Sequence, residues 1–102
     1  MLYDTTDETF REDMDGLQEC LVLFYADDCE PCHELMKELE GYQAPVMQYN
    51  LSEFTDRAIE FRVVHPSTLC YFEQGGMGQM NRKKKAFAKG WTLKQIQEWI
   101  DD

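Results

Sequence analysis

From Cys20 to Ala26 the chain runs through seven apolar positions without a polar interruption. A continuous run of that length, bounded by charged residues, predicts a strand covered on both faces, as in a parallel or mixed central sheet. Val46–Leu51 predicts a second inner strand, and Thr68–Phe72, just after His65-Pro66, a third. Elsewhere the apolar spacing lengthens to three and four, the period of a helix packed on one side. Phe10, Met14 and Leu17 form one such face; Leu35, Met36 and Leu39 form another. Phe54, Ala58, Ile59 and Phe61 form a third, and Trp91, Leu93, Ile96, Trp99 and Ile100 a fourth. Thr6 or Asp7, Ser52 and Thr92 are the expected N-caps of the first, third and last helices. Gly16 ends the first helix and Gly41 closes the second. Leu2-Tyr3 reads as a short edge strand, and Gly75-Gly76-Met77-Gly78 as a hairpin turn into a strand over Met80–Ala88.

The predicted order is therefore β α β α β α β β α. Strands alternating with helices imply parallel pairing in the first half, and the last two strands an antiparallel hairpin. The expected class is α/β. The 102 residues suit one domain, 1–102, with enough chain to bury a core without disulfide staples. Hydrophobic residues at 43% and aromatics at 13% mark a globular composition. A formal net charge of −10 argues against nucleic acid as a partner, since phosphate binding needs clustered cations. The one basic run, Arg82-Lys83-Lys84-Lys85, reads as a solvated turn at a sheet edge. The acidic start "MLYDTTDETF" has no apolar signal region, and no apolar run approaches membrane-spanning length. A cytoplasmic monomer is the expectation, with no membrane partner.

Candidate chemistry concentrates in Cys29-Glu30-Pro31-Cys32-His33. Two cysteines at this spacing suit a redox pair or half of a zinc site, and the following histidine completes a haem-attachment motif. Zinc needs four converging ligands, and the remaining cysteines, Cys20 and Cys70, fall within predicted strands, where free thiols act as small hydrophobes. No metal is expected. Haem attachment fits poorly with a chain that reads as half strand. The pair sits where a strand gives way to a helix, with Cys29 near the helix N-terminus.

Element order and motifs together resemble the thioredoxin family over nearly the whole chain. "TDETF" is similar to the opening of that family's first helix. "LVLFYADDCEPC" resembles its strand and active-site loop, "HPSTLCYFEQGG" its cis-proline segment, and "KGWTLKQIQEWID" its final glycine and helix. The resemblance implies a thioredoxin-like fold, with a mixed sheet of four to five strands and helices on both faces. It implies a protein-disulfide reductase whose Cys29 attacks and whose Cys32 resolves, with no cofactor beyond that redox-active disulfide. Pro31 shapes the loop. Pro66 is the expected cis-proline, and Tyr25, His65, Pro66 and Gly90 border the substrate. Partners implied are proteins carrying disulfides, with a thioredoxin reductase or glutathione as electron donor. The chemistry is coherent: exchange needs one thiolate to attack and a second thiol close enough to release the mixed disulfide. At a helix start, free N–H groups and the helix dipole lower the pKa of the first cysteine.

Several residues depart from the family pattern. Glu30 replaces the usual glycine and Asp28 the usual tryptophan, so Asp27, Asp28 and Glu30 surround Cys29 with negative charge. Like charge disfavours a thiolate. The expectation is a reducing pair, with a Cys29 pKa not far below ~6. Leu23 stands where the family holds a buried aspartate, and Gln48 where it holds that aspartate's lysine partner. His65 replaces an apolar residue before the proline and, as imidazolium, would favour the Cys29 thiolate; an exposed histidine without a role is the alternative. His33 is a surface residue or a modest pKa modulator. Two further readings stay open: a glutaredoxin-like, glutathione-linked reductase, and a thioredoxin-fold assembly module with a weak redox pair.

Overall fold

The computed structural model describes residues 2–102. Its elements, in order, are β1 (Leu2–Asp4), α1 (Phe10–Met14), β2 (Glu19–Tyr25), α2 (Glu30–Leu39), β3 (Val46–Asn50), α3 (Asp56–Glu60), β4 (Thr68–Gln74), β5 (Met80–Phe87) and α4 (Leu93–Asp101). The five strands form one sheet in the order β1-β3-β2-β4-β5. β3 pairs parallel with β1 and β2, whereas β4 runs antiparallel to β2 and β5. The apolar run of β2 thus lies at the sheet centre, and Cys20 to Phe24 are fully buried.

Alternation along the strands divides the core in two. Val22, Phe24, Met47, Tyr49, Cys70 and Phe72 face α1 and α3. Leu21, Leu23, Val46, Leu69 and Tyr71 face α2 and α4, where Leu35, Leu39 and Ile96 meet them. Helices on both faces explain why these strands show no polar alternation.

The element order and types match the expectation; several ends do not. Helix α1 starts after Thr9, which makes no side-chain capping bond; Thr6 and Thr9 hydrogen-bond each other across the preceding turn. Helix α3 starts after Thr55, not Ser52, and its Ile59 is 72% exposed, outside the apolar face. Thr92 caps α4 as expected, with Gln95 completing a capping box. Glu38 of α2 adds an acceptor for the Leu93 N–H, at 2.8 Å. Gly41 is not a left-handed terminator; its need is space, since a Cβ there would lie 2.9 Å from Leu93 Cδ2. The basic run is an edge strand, not a turn. Its cations donate to carbonyls: Arg82 to Phe61, Lys85 to Arg62, and Lys84 to Ile100 and Asp102 at the α4 C-terminus. That last placement suits the negative end of the helix dipole.

Helix α3 has no side-chain cap of its own. Asp7, nearly fifty residues away in sequence, accepts from the N–H groups of Asp56 and Arg57, and from the Tyr49 hydroxyl. Desolvation pushes the Asp7 carboxyl up, but the Tyr49, Arg57 and Asp56 hydrogen bonds outweigh it, and its pKa falls below the ordinary 3.8. A depressed native pKa stabilises the fold above the unfolded value and loses that contribution as pH falls through the native one. Asp7→Asn is expected to cost about 1–3 kcal/mol at pH 7. The gap from wild type should shrink near pH 3. Urea midpoints at the two pH values check this; a gap that stays constant contradicts the role of the charge.

Candidate active site

The site lies beyond the C-terminal ends of β2 and β3, where α/β sheets usually bind ligands. The chain leaves β2 at Tyr25, whose carbonyl accepts from Leu51 N–H at 2.7 Å, and turns through Ala26-Asp27-Asp28. Asn50, nearly buried at the end of β3, fixes that turn. Its Nδ2 donates to Asp27 Oδ1 at 2.8 Å, and its Oδ1 accepts from Ser52 N–H at 2.9 Å. Ser52 Oγ in turn accepts from Asp27 N–H at 3.0 Å. These three residues hold the loop that presents Cys29.

Cys29 is the N-cap of α2, and its Sγ accepts from the Cys32 N–H at 3.2 Å. Pro31 occupies the first turn, where its missing N–H costs nothing. Cys29 and Cys32 are joined as a disulfide, with Cα atoms 5.3 Å apart. The two sulfurs are unequal in access: Cys29 is half-buried, while Cys32 is 0% exposed. The two other thiols lie deep in the sheet. Desolvation pushes Cys20 to about 11 and Cys70 to about 12, so both stay protonated at neutral pH.

The segment facing the disulfide departs from expectation. The His65–Pro66 peptide bond is trans, not cis. Trans is the lower-energy form of an X–Pro bond by about 0.5–1 kcal/mol. The chain turns at Ser67, which takes φ 70°, a left-handed conformation. Backbone bonds pin it there: Ser67 N–H donates to Phe24 O at 2.9 Å, and Ala88 N–H donates to Ser67 O at 2.8 Å. Ser67 Oγ lies 3.3 Å from Cys32 Sγ and 3.4 Å from Cys29 Sγ. It is 2% exposed. Nothing in the sequence singled it out; a serine after His-Pro reads as turn chemistry, and only the tertiary fold carries it to the sulfurs.

The other expected residues scatter around this centre. Asp28 and Glu30 are exposed, Glu30 in the first turn of α2. Exposed His33 sets its ring 6.5 Å from that of half-buried Tyr25, with Nε2 3.3 Å from Asp27 O. The ring of His65 is exposed and stands edge-on to Phe87, centroids 6.2 Å apart; Phe87 is 57% exposed. Pro66 is half-buried beside it. Gly90 is exposed with φ 79°, a conformation that favours glycine. Leu23 is fully buried and pairs in register with Gln48.

No protein-family model matches the sequence, and comparison with curated proteins gives no significant match. Solved structures match over nearly the full chain. One is Trxlp from Edwardsiella tarda, 21% identical, TM-score 0.76, covering 97% of each chain. Another is a mutant thioredoxin from Halobacterium salinarum, 21% identical, TM-score 0.78, covering 98% of this chain and 87% of that one. A third is thioredoxin from Schistosoma mansoni, 19% identical, TM-score 0.75, covering 98% and 95%. With its five-stranded mixed sheet, four flanking helices and a disulfide at the start of α2, this chain has the thioredoxin fold.

Proposed function

We propose that the protein is a thiol–disulfide oxidoreductase that reduces disulfides in other proteins. The observation that carries this reading is the asymmetry of the pair. Cys29 caps a helix, meets a backbone N–H and is partly exposed; Cys32 is buried one turn behind it. Such an arrangement suits one sulfur for attack on a substrate and the other for release. Cys29 thiolate attacks a substrate disulfide, a mixed disulfide forms, and Cys32 thiolate displaces the substrate thiol.

An extended substrate segment would lie along His65 and Pro66, with Gly90 and Tyr25 at its borders. Exposed Val64 and Phe87 offer an apolar footing beside His65. Asp27, Asp28 and Glu30 oppose the helix terminus in setting the Cys29 thiolate, which favours a reducing pair. A reductase or glutathione would return the pair to the dithiol, in a cytoplasmic setting. Among the described residues no helix is long and apolar enough to cross a membrane.

The test is catalysis of insulin reduction by dithiothreitol. The wild type should accelerate precipitation of the insulin chains, and Cys29→Ser should match the uncatalysed rate. Wild-type protein without acceleration would leave only a fold with an idle disulfide.

A further inference from the structure

The exchange reaction has to develop negative charge on Cys32, a sulfur with no exposed surface. Burial disfavours the charged form that this attack requires. The family's buried aspartate is replaced here by Leu23, also fully buried. Among the described residues, the polar side chain in contact with Cys32 Sγ is that of Ser67, at 3.3 Å. Its hydroxyl is buried and reaches both sulfurs. The backbone at Ser67 is held in a left-handed conformation that a non-glycine residue rarely adopts, by bonds to Phe24 and Ala88. Outliers of this kind collect at functional sites, where the surrounding structure maintains them.

Resting on the reading above, we propose that Ser67 is a catalytic residue whose hydroxyl donates a hydrogen bond to the Cys32 thiolate. It thereby sets the rate of the resolving step. The chemistry balances without a further reactant. Cys32 first gives its proton to water. Its thiolate then attacks Cys29 Sγ in the mixed disulfide. The Cys29–Cys32 bond forms, the Cys29–substrate bond breaks, and the electron pair leaves on the substrate sulfur, which takes a proton from solvent. The substrate gains two electrons and the pair loses two. Ser67 gains and loses no proton; it holds the thiolate by a fixed hydrogen bond, as a preorganised donor does at any developing anion. A hydroxyl suits this site because it can accept from the thiol and, by rotating, donate to the thiolate.

The experiment uses reduced protein and one equivalent of Ellman's disulfide. Attack by Cys29 releases the first thionitrobenzoate, and attack by Cys32 on the mixed disulfide releases the second. The two phases report the two sulfurs separately. Two hydroxyl-free variants are needed, Ser67→Ala and Ser67→Gly, because glycine relaxes the left-handed backbone that alanine keeps. Both should slow the second phase roughly tenfold to a hundredfold near neutral pH. Both should also move its pH midpoint upward, and change the first phase much less. A second phase within about twofold of wild type in either folded variant overturns the proposal. So does equal slowing of both phases with no shift in midpoint, which would mark Ser67 as merely structural. Insulin reduction by the wild type, measured alongside, tests the underlying function independently.

Discussion

Cys32→Ser, reduced and offered a protein disulfide, is expected to accumulate as a covalent adduct through Cys29. Cys29→Ser should form none, and its turnover should fall to the uncatalysed rate. The reason is geometric. Cys29 caps α2 with accessible surface, whereas Cys32 lies fully buried behind it. Cys20 and Cys70 cannot substitute, because burial in the sheet keeps both protonated. Removing Cys32 leaves the attack intact and abolishes the release. Removing Cys29 abolishes the attack, since a serine hydroxyl is a far weaker nucleophile at neutral pH. Intact mass under non-reducing conditions reads the adduct directly. Adduct formation in Cys29→Ser would reverse the assigned roles.

The second large effect concerns Leu23. It is fully buried beneath α2 and α4, with Leu35, Leu39 and Leu69 in the same cluster. Leu23→Asp places a carboxylate in this buried cluster without a cation beside it. Gln48, its neighbour in register, offers an amide and no charge. Burying an unpaired carboxylate should cost about 3–5 kcal/mol at neutral pH. The penalty should shrink in acid, as the introduced carboxyl, its pKa raised by burial, takes up a proton. Adding Gln48→Lys should recover part of the loss. Chemical denaturation of the two single variants and the double variant gives the coupling. A loss under about 1 kcal/mol for Leu23→Asp would mean that water reaches this position.

These two sites show which parts of the molecule can be read in one dimension. The strand at Cys20–Ala26, the helix stripe at Leu35 and Leu39, and the Thr92 cap depend on local periodicity and on neighbours within a turn. All stand where the sequence places them, to within one residue at the strand's ends. The cysteine pair was legible for the same reason, as a spacing at a strand-to-helix junction. What escaped the sequence depends on partners far apart in the chain. Asp7 caps α3 from before α1, and Ser67 meets sulfurs nearly forty residues away. The Asn50–Asp27–Ser52 brace likewise joins two strand ends. Gly41 read as a helix terminator but answers to a close approach by Leu93. At Pro66 the family resemblance suggested a cis bond, whereas this chain turns one residue later at Ser67.

The most direct test of the reductive reading is the equilibrium of the Cys29–Cys32 pair with glutathione buffers, followed by alkylation and mass. On the proposed reading, carboxylates at Asp27, Asp28 and Glu30 oppose a thiolate at Cys29, so the reduced form should give up electrons readily. The expected potential is about −220 mV or more negative, within the range of cellular reductants. A value near about −120 mV would contradict it and make the protein a donor of disulfides instead.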